Sequence, residues 1–99
     1  MPKIGEKYVC GGREFWCAEV TGETAKMYSG PVSVEVPLNK FDATFKLVGE
    51  ITVGATYSAR GSVGGFVMGR KYTVCGLGGD TVDIEGVGSI TVETFAKLF

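Results

Sequence analysis

Apolar and polar residues alternate with a period of two along most of the chain, which is the pattern of β-strands with one buried face. The alternation is clearest near the C-terminus, where it predicts strands at residues 72–77, 81–85 and 89–93. Gly78, Gly79 and Asp80 separate the first two, and these residue types favour tight turns. We therefore predict a hairpin, a third strand and a short terminal turn in this stretch.

The N-terminal half shows the same pattern of short strands and turns. Leu38, Phe41 and Phe45 recur at helical spacing, so residues 38–45 are predicted to form one or two helical turns before a closing strand at 46–48. The other predicted strands of the chain lie between turn-forming residues, at 4–10, 14–20, 24–29, 32–36 and 52–60. A glycine-rich loop follows at 61–69.

The two halves align with each other by pattern. Gly22 falls on Gly79 and, after one extra residue, Val34 falls on Val92. The alignment predicts a pseudo-repeat. Because each half would be only marginally stable alone, the halves are expected to pack on each other.

The order of elements is similar to that of the SH3-like barrel, in which five short strands enclose a small core and a one-turn helix precedes the last. The second half also resembles the small SH3-like proteins of bacteriophages and mobile elements, through Val53-Gly54, Phe66-x-x-Gly69-x-x-Tyr72-x-Val74, Asp80-x-Val82-x-Ile84, Gly88 and Phe95. The resemblance implies an all-β fold of two tandem SH3-like small barrels packed together, with units at residues 1–49 and 50–99. A single larger β-barrel is the alternative.

The composition favours a folded, non-enzymatic chain. Sixteen of the 99 residues are glycine, and 44% are hydrophobic, which suits many short strands and tight turns. The chain has no histidine, so the usual general base is absent. The glycine runs at 76–81 and 86–91 lack the lysine of a phosphate-binding loop. We expect no enzymatic activity and no cofactor.

The three cysteines, Cys10, Cys17 and Cys75, are expected to be reduced thiols. Their number is odd, and without histidine a zinc site would need an unusual set of ligands, so no metal is expected. No apolar run approaches the roughly 20 residues of a membrane span, and the first residues lack the apolar core of a signal peptide. We expect a cytoplasmic protein without membrane association.

Two aromatic residues are the first candidates for a binding site. A hairpin centred on Gly22 places Trp16 directly opposite Tyr28, on the face turned away from the first core. In one interpretation the pair packs against the other half or covers the barrel. In the other it is an exposed anchor for a partner, since Trp and Tyr are frequent among interface hot spots.

The glycine-rich loop is the second candidate. In an SH3-like barrel the corresponding loop borders the usual ligand surface, so the resemblance implies that this loop presents an apolar and basic contact. The alternative is that Phe66 or Met68 folds back as a lid, while the charges are solvated or pair with acidic residues of the next hairpin. The candidate contacts in and beside the loop are Arg60, Phe66, Met68, Arg70 and Lys71.

The sequence thus predicts a non-enzymatic macromolecule-binding protein. Its most concrete version is a small phage or mobile-element protein that binds and modulates a host protein, such as a defence-system component. A nucleic-acid-binding module is the alternative, with Trp16 and Tyr28 stacking on bases, although the formal net charge of −1 disfavours it. A structural or assembly protein is the second alternative, and homo-oligomerisation stays open.

Overall fold

The computed structural model describes residues 2–99, which form nine strands and two short helices. In chain order these are β1 (Glu6–Cys10), β2 (Arg13–Val20), β3 (Thr24–Ser29), β4 (Val32–Pro37), α1 (Leu38–Thr44), β5 (Lys46–Glu50), β6 (Thr56–Ser58), β7 (Lys71–Leu77), β8 (Thr81–Ile84), β9 (Gly88–Thr91) and α2 (Val92–Leu98). The prediction of a mainly β fold is confirmed. The tandem SH3-like arrangement stays a prediction.

The first five strands form one antiparallel sheet in the order β4-β3-β2-β1-β5. The strands β1 to β4 are a meander, and α1 then carries the chain across so that β5 pairs with β1. The predicted helical turns and closing strand are both present here. The core of this half lies under α1 and consists of Tyr8, Phe15, Cys17, Ala25, Met27, Phe41 and Phe45.

The second sheet has the order β6-β7-β8-β9, and α2 packs beside it. Its first strand is shorter than predicted because the chain turns at Gly54, whose φ of 90° is a conformation that favours glycine. The elements β6 to β9 and α2 repeat the order of β1 to β4 and α1. No strand equivalent to β5 occurs within residues 51–99.

The predicted strand at 89–93 is wrong at its C-terminal end. The strand β9 ends at Thr91, whose Oγ1 accepts a hydrogen bond from the Thr94 backbone N–H at 3.1 Å and so caps a helix. Val92, the first residue of that helix, is buried together with Phe95 and Ala96. The apolar residues after Thr91 therefore follow helical spacing, and the alignment of Val34 with Val92 fails.

The two sheets are joined by the outer face of β2 and β3. Trp16 lies opposite Tyr28, as predicted, and is only 4% exposed. Its ring centroid lies 5.3 Å from that of Phe95 in α2 and 6.0 Å from that of Tyr57 in β6. We call this contact between the sheets the seam. It places Trp16, Ala18 and Tyr28 in the same core cluster as the interior of the second half.

Replacing Trp16 with alanine should lower the free energy of unfolding by about 3–5 kcal/mol, because a large buried ring is lost from a site that can collapse only in part. Urea unfolding followed by circular dichroism measures this. Val53→Ala is the matched control, since Val53 is 53% exposed, and its effect should stay within about 0.5 kcal/mol. Equal effects of the two substitutions would contradict the structural role of the seam.

Candidate functional site

The loop at residues 60–70 is fixed to the body of the second half by a buried ring. Phe66 is 5% exposed, and its ring centroid lies 4.9 Å from that of Tyr72 and 5.5 Å from that of Phe99. The Tyr72 hydroxyl also accepts a hydrogen bond from the Val67 backbone N–H at 2.8 Å. Phe66 is thus the lid that the sequence offered as one of two interpretations, and it is not available to a partner.

Hydrogen bonds also tie the two ends of this loop together. The Gly69 N–H donates to the Ala59 carbonyl at 2.8 Å, and the Ala59 N–H donates to the Arg70 carbonyl at 3.0 Å. Within the loop, the Met68 N–H donates to Ser62 Oγ at 3.0 Å. These hydrogen bonds constrain the backbone although most of the loop's side chains lie at the surface.

Three apolar side chains project from this fixed backbone into solvent. Met68 is 63% exposed, Val63 62% and Val67 52%, so Met68 is not part of the lid. The candidate contacts predicted from the sequence included neither Val63 nor Val67, because a glycine-rich loop has no periodic pattern that shows which side chains face solvent. Together with the exposed cations, these residues form what we call the loop surface: Arg60, Val63, Val67, Met68, Arg70 and Lys71.

The charge of the loop surface is positive. Residues 60–71 contain no aspartate or glutamate. Within residues 2–99 the one ion pair joins Lys7 Nζ to Glu14 Oε1 at 2.9 Å, so the cations of the loop surface form no salt bridge with Asp80, Asp83 or Glu85. A partner that approaches the loop therefore meets apolar groups beside uncompensated positive charge.

Trp16 and Tyr28 lie in the seam, away from solvent, as the packing interpretation holds. The Tyr28 hydroxyl donates a hydrogen bond to Glu93 Oε1, while the Nζ atoms of Lys26 and Lys97 lie 5.6 and 5.4 Å from the centre of the Tyr28 ring. Burial and this hydrogen bond raise the pKa of Tyr28. The same hydrogen bond, followed by the charge of Lys97, lowers the pKa of Glu93. The Tyr28–Glu93 hydrogen bond therefore connects α2 to the first sheet.

Almost all of the aromatic rings are buried. Every Phe, Tyr and Trp side chain is buried except that of Tyr57, which is partly buried and packs against Phe95 at a centroid distance of 5.3 Å. Proteins that bind single-stranded nucleic acid stack bases on exposed rings. The described surface offers no such platform.

An open groove runs along one side of the seam. It has a volume of about 670 Å³ and lies between the β1–β2 hairpin, the turn from β3 to β4, and the start of the loop. The charged residues that line it are Arg13, Glu14, Arg60 and Lys97. Glu14 is the partner of Lys7, so its charge is already compensated. Arg60 belongs both to this groove and to the loop surface.

The thiols differ in exposure. Cys17 is fully buried in the first core, and burial raises its pKa to about 11. Cys75 is exposed on β7, and Cys10 is half-buried. Among the described residues, no three Cys, Asp or Glu side chains are grouped closely enough to hold a metal ion. We therefore assign no metal centre to this part of the chain.

Comparisons with protein-family models, with curated proteins and with solved structures found no match to this chain. Both helices are seven residues long, and across residues 2–99 no helix has the length and apolar character needed to cross a bilayer.

Iodoacetamide should modify Cys75 quickly in the folded protein, Cys10 more slowly, and Cys17 only after unfolding. The order follows from exposure, and the raised pKa of Cys17 keeps its thiol protonated at neutral pH. Peptide mass spectrometry over time gives the three rates, and Cys75→Ser should remove the fast one alone. Rapid native labelling of Cys17 would contradict its position in the core.

The seam should weaken in acid because of Glu93. Its pKa is lowered in the folded protein, so its carboxylate stabilises the fold above pH 4.5, the ordinary pKa, and this contribution is lost as the pH falls through the lower folded value. The unfolding free energy should thus fall less in Glu93→Gln than in the wild type between about pH 6 and about pH 3.

Denaturant titrations at each pH measure that difference, and the other carboxylates cancel between the two proteins. Tyr28→Phe, which removes the hydrogen bond but keeps the ring, should flatten the profile in the same sense. Parallel profiles for all three proteins would show that the Tyr28–Glu93 contact does not contribute.

Proposed function

We propose that this protein is a non-enzymatic binding module that contacts another protein through the loop surface. The observation that carries the proposal is the exposure of Val63, Val67 and Met68 on a backbone that Phe66 and Tyr72 hold in place. Single exposed apolar residues are common on any protein. Three within six positions, on a fixed loop beside uncompensated cations, form a surface suited to a partner.

The fixed backbone favours binding. A loop that is ordered only on association loses conformational freedom at that moment, and the loss weakens affinity. Here the hydrogen bonds from Gly69 to Ala59 and from Met68 to Ser62 already hold the loop in the free protein. A partner would therefore meet a preorganised surface.

The topology supports the same surface. We infer that the first half is an SH3-like unit, because β1 to β4 form a meander and a short helix leads to β5 beside β1. The second half follows this order through α2, and its long loop between β6 and β7 corresponds to the one that borders ligands in SH3-like barrels. This inference rests on strand order and on the resemblance in sequence.

A protein partner is favoured over nucleic acid. The formal net charge is −1, and the rings that would have stacked on bases, Trp16 and Tyr28, are buried in the seam. The resemblance to proteins of phages and mobile elements suggests a bacterial host protein as the partner, with a role in modulating it. A bacterial lysate is therefore the source in which to look.

A photo-crosslinking amino acid at position 67 should capture a protein from nuclease-treated bacterial lysate, whereas the same group at position 53 should not. Position 53 is the matched control for position 67. Val53 and Val67 are 53% and 52% exposed, and only Val67 lies in the loop surface. Val67→Ser combined with Met68→Ser should reduce capture by affinity-tagged protein at least about fivefold. The same variant should unfold within about 1 kcal/mol of the wild type.

Three results would overturn the proposal. These are equal crosslinking from positions 67 and 53, undiminished capture by the double serine variant, and recovery of material that nuclease treatment abolishes. The last result would instead support the nucleic-acid alternative.

A further inference from the structure

The groove beside the seam gathers cations from separate parts of the chain. Arg13 lies in β2, Arg60 follows β6, and Lys97 lies in the last turn of α2. All three are exposed. Their convergence makes the groove positive although the whole chain has a net charge of −1.

Acidic side chains compensate this charge only in part. Glu14 is the one acidic residue that lines the groove, and Lys7 holds its carboxylate at 2.9 Å. Glu93 lies one turn before Lys97 on α2, and the two charges attract each other, so the charge of Lys97 is compensated in part. Arg13 and Arg60 form no ion pair among the described residues. The groove therefore keeps a positive potential that favours an anion.

The groove and the loop surface share Arg60. The Arg60 N–H donates to the Leu98 carbonyl at 2.7 Å, so the start of the loop is tied to the end of α2. The preceding residue, Ala59, is tied to Gly69 at the other end of the loop. Arg60 is thus the residue through which one ligand would contact both surfaces.

We infer that the groove binds a carboxylate-rich segment of the same protein partner whose apolar residues contact the loop surface; this rests on the proposed function. Guanidinium groups pair well with carboxylates, often through two hydrogen bonds each. The neighbouring apolar contacts are aliphatic, which suits peptide side chains. Phosphates of single-stranded nucleic acid are less suitable, because no exposed ring stands beside the cations to hold the bases.

The test uses fluorescein-labelled octaglutamate as the probe and fluorescence anisotropy at low ionic strength as the measurement. The groove variant is Arg13→Gln with Arg60→Gln. The control variant is Lys3→Gln with Lys40→Gln, which removes the same charge at two exposed positions outside the groove lining. The groove variant should bind the probe about tenfold more weakly, while the control variant should bind like the wild type.

The inference is overturned if octaglutamate does not bind, if both variants lose affinity equally, or if an oligothymidine of matched length binds more tightly than octaglutamate. The last outcome would identify phosphate as the preferred anion. The Val67→Ser and Met68→Ser variant separates the two proposals, because it should lose the captured protein yet keep octaglutamate binding. If the groove variant captured the protein partner as tightly as the wild type does, the proposed function would stand, but the groove would not be part of the binding surface.

Discussion

The packing of Trp16 against α2 is the contact on which the rest of the structure depends. The strand β2 is buried on both faces, since Phe15 and Cys17 lie in the first core while Trp16 and Ala18 lie in the second. Each half has only about 50 residues, a size at which a single hydrophobic core gives marginal stability. Because the strand β2 contributes side chains to both cores, it joins the two halves. The packing of α2 on this strand also places α2 where the groove and the start of the loop meet.

The features that could be predicted from the sequence are those that the local pattern of turns and alternating residues determines. The turn at Gly22 and the alternation around it place Trp16 opposite Tyr28, and the structure shows this pair. The same alternation shows which face a side chain takes but not what covers that face, so the burial of Trp16 in the seam stayed one of two interpretations. For the same reason, Phe66 could be recognised as a lid or a contact, but not assigned.

The remaining features depend on information that the pattern lacks. Val92 satisfies both a strand with period two and a helix with Phe95 and Ala96, and the cap from Thr91 decides for the helix. The groove joins Arg13 to Lys97 across most of the chain, and only the docking of α2 brings them together. Contacts between distant residues of this kind leave no signal in a single sequence.

Within about a dozen residues of the loop, the side chains that hold its shape are different from those that face solvent. The side chains of Phe66 and Tyr72 face inward and hold its shape, whereas the side chains of Val63, Val67 and Met68 face solvent. Substitutions at the outward positions should therefore leave the scaffold intact, and under the proposed function they would change what the protein recognises. If the proposed function holds, such a surface can diversify quickly under selection by a changing partner, and the fixed scaffold offers a site at which new specificities can be grafted by design.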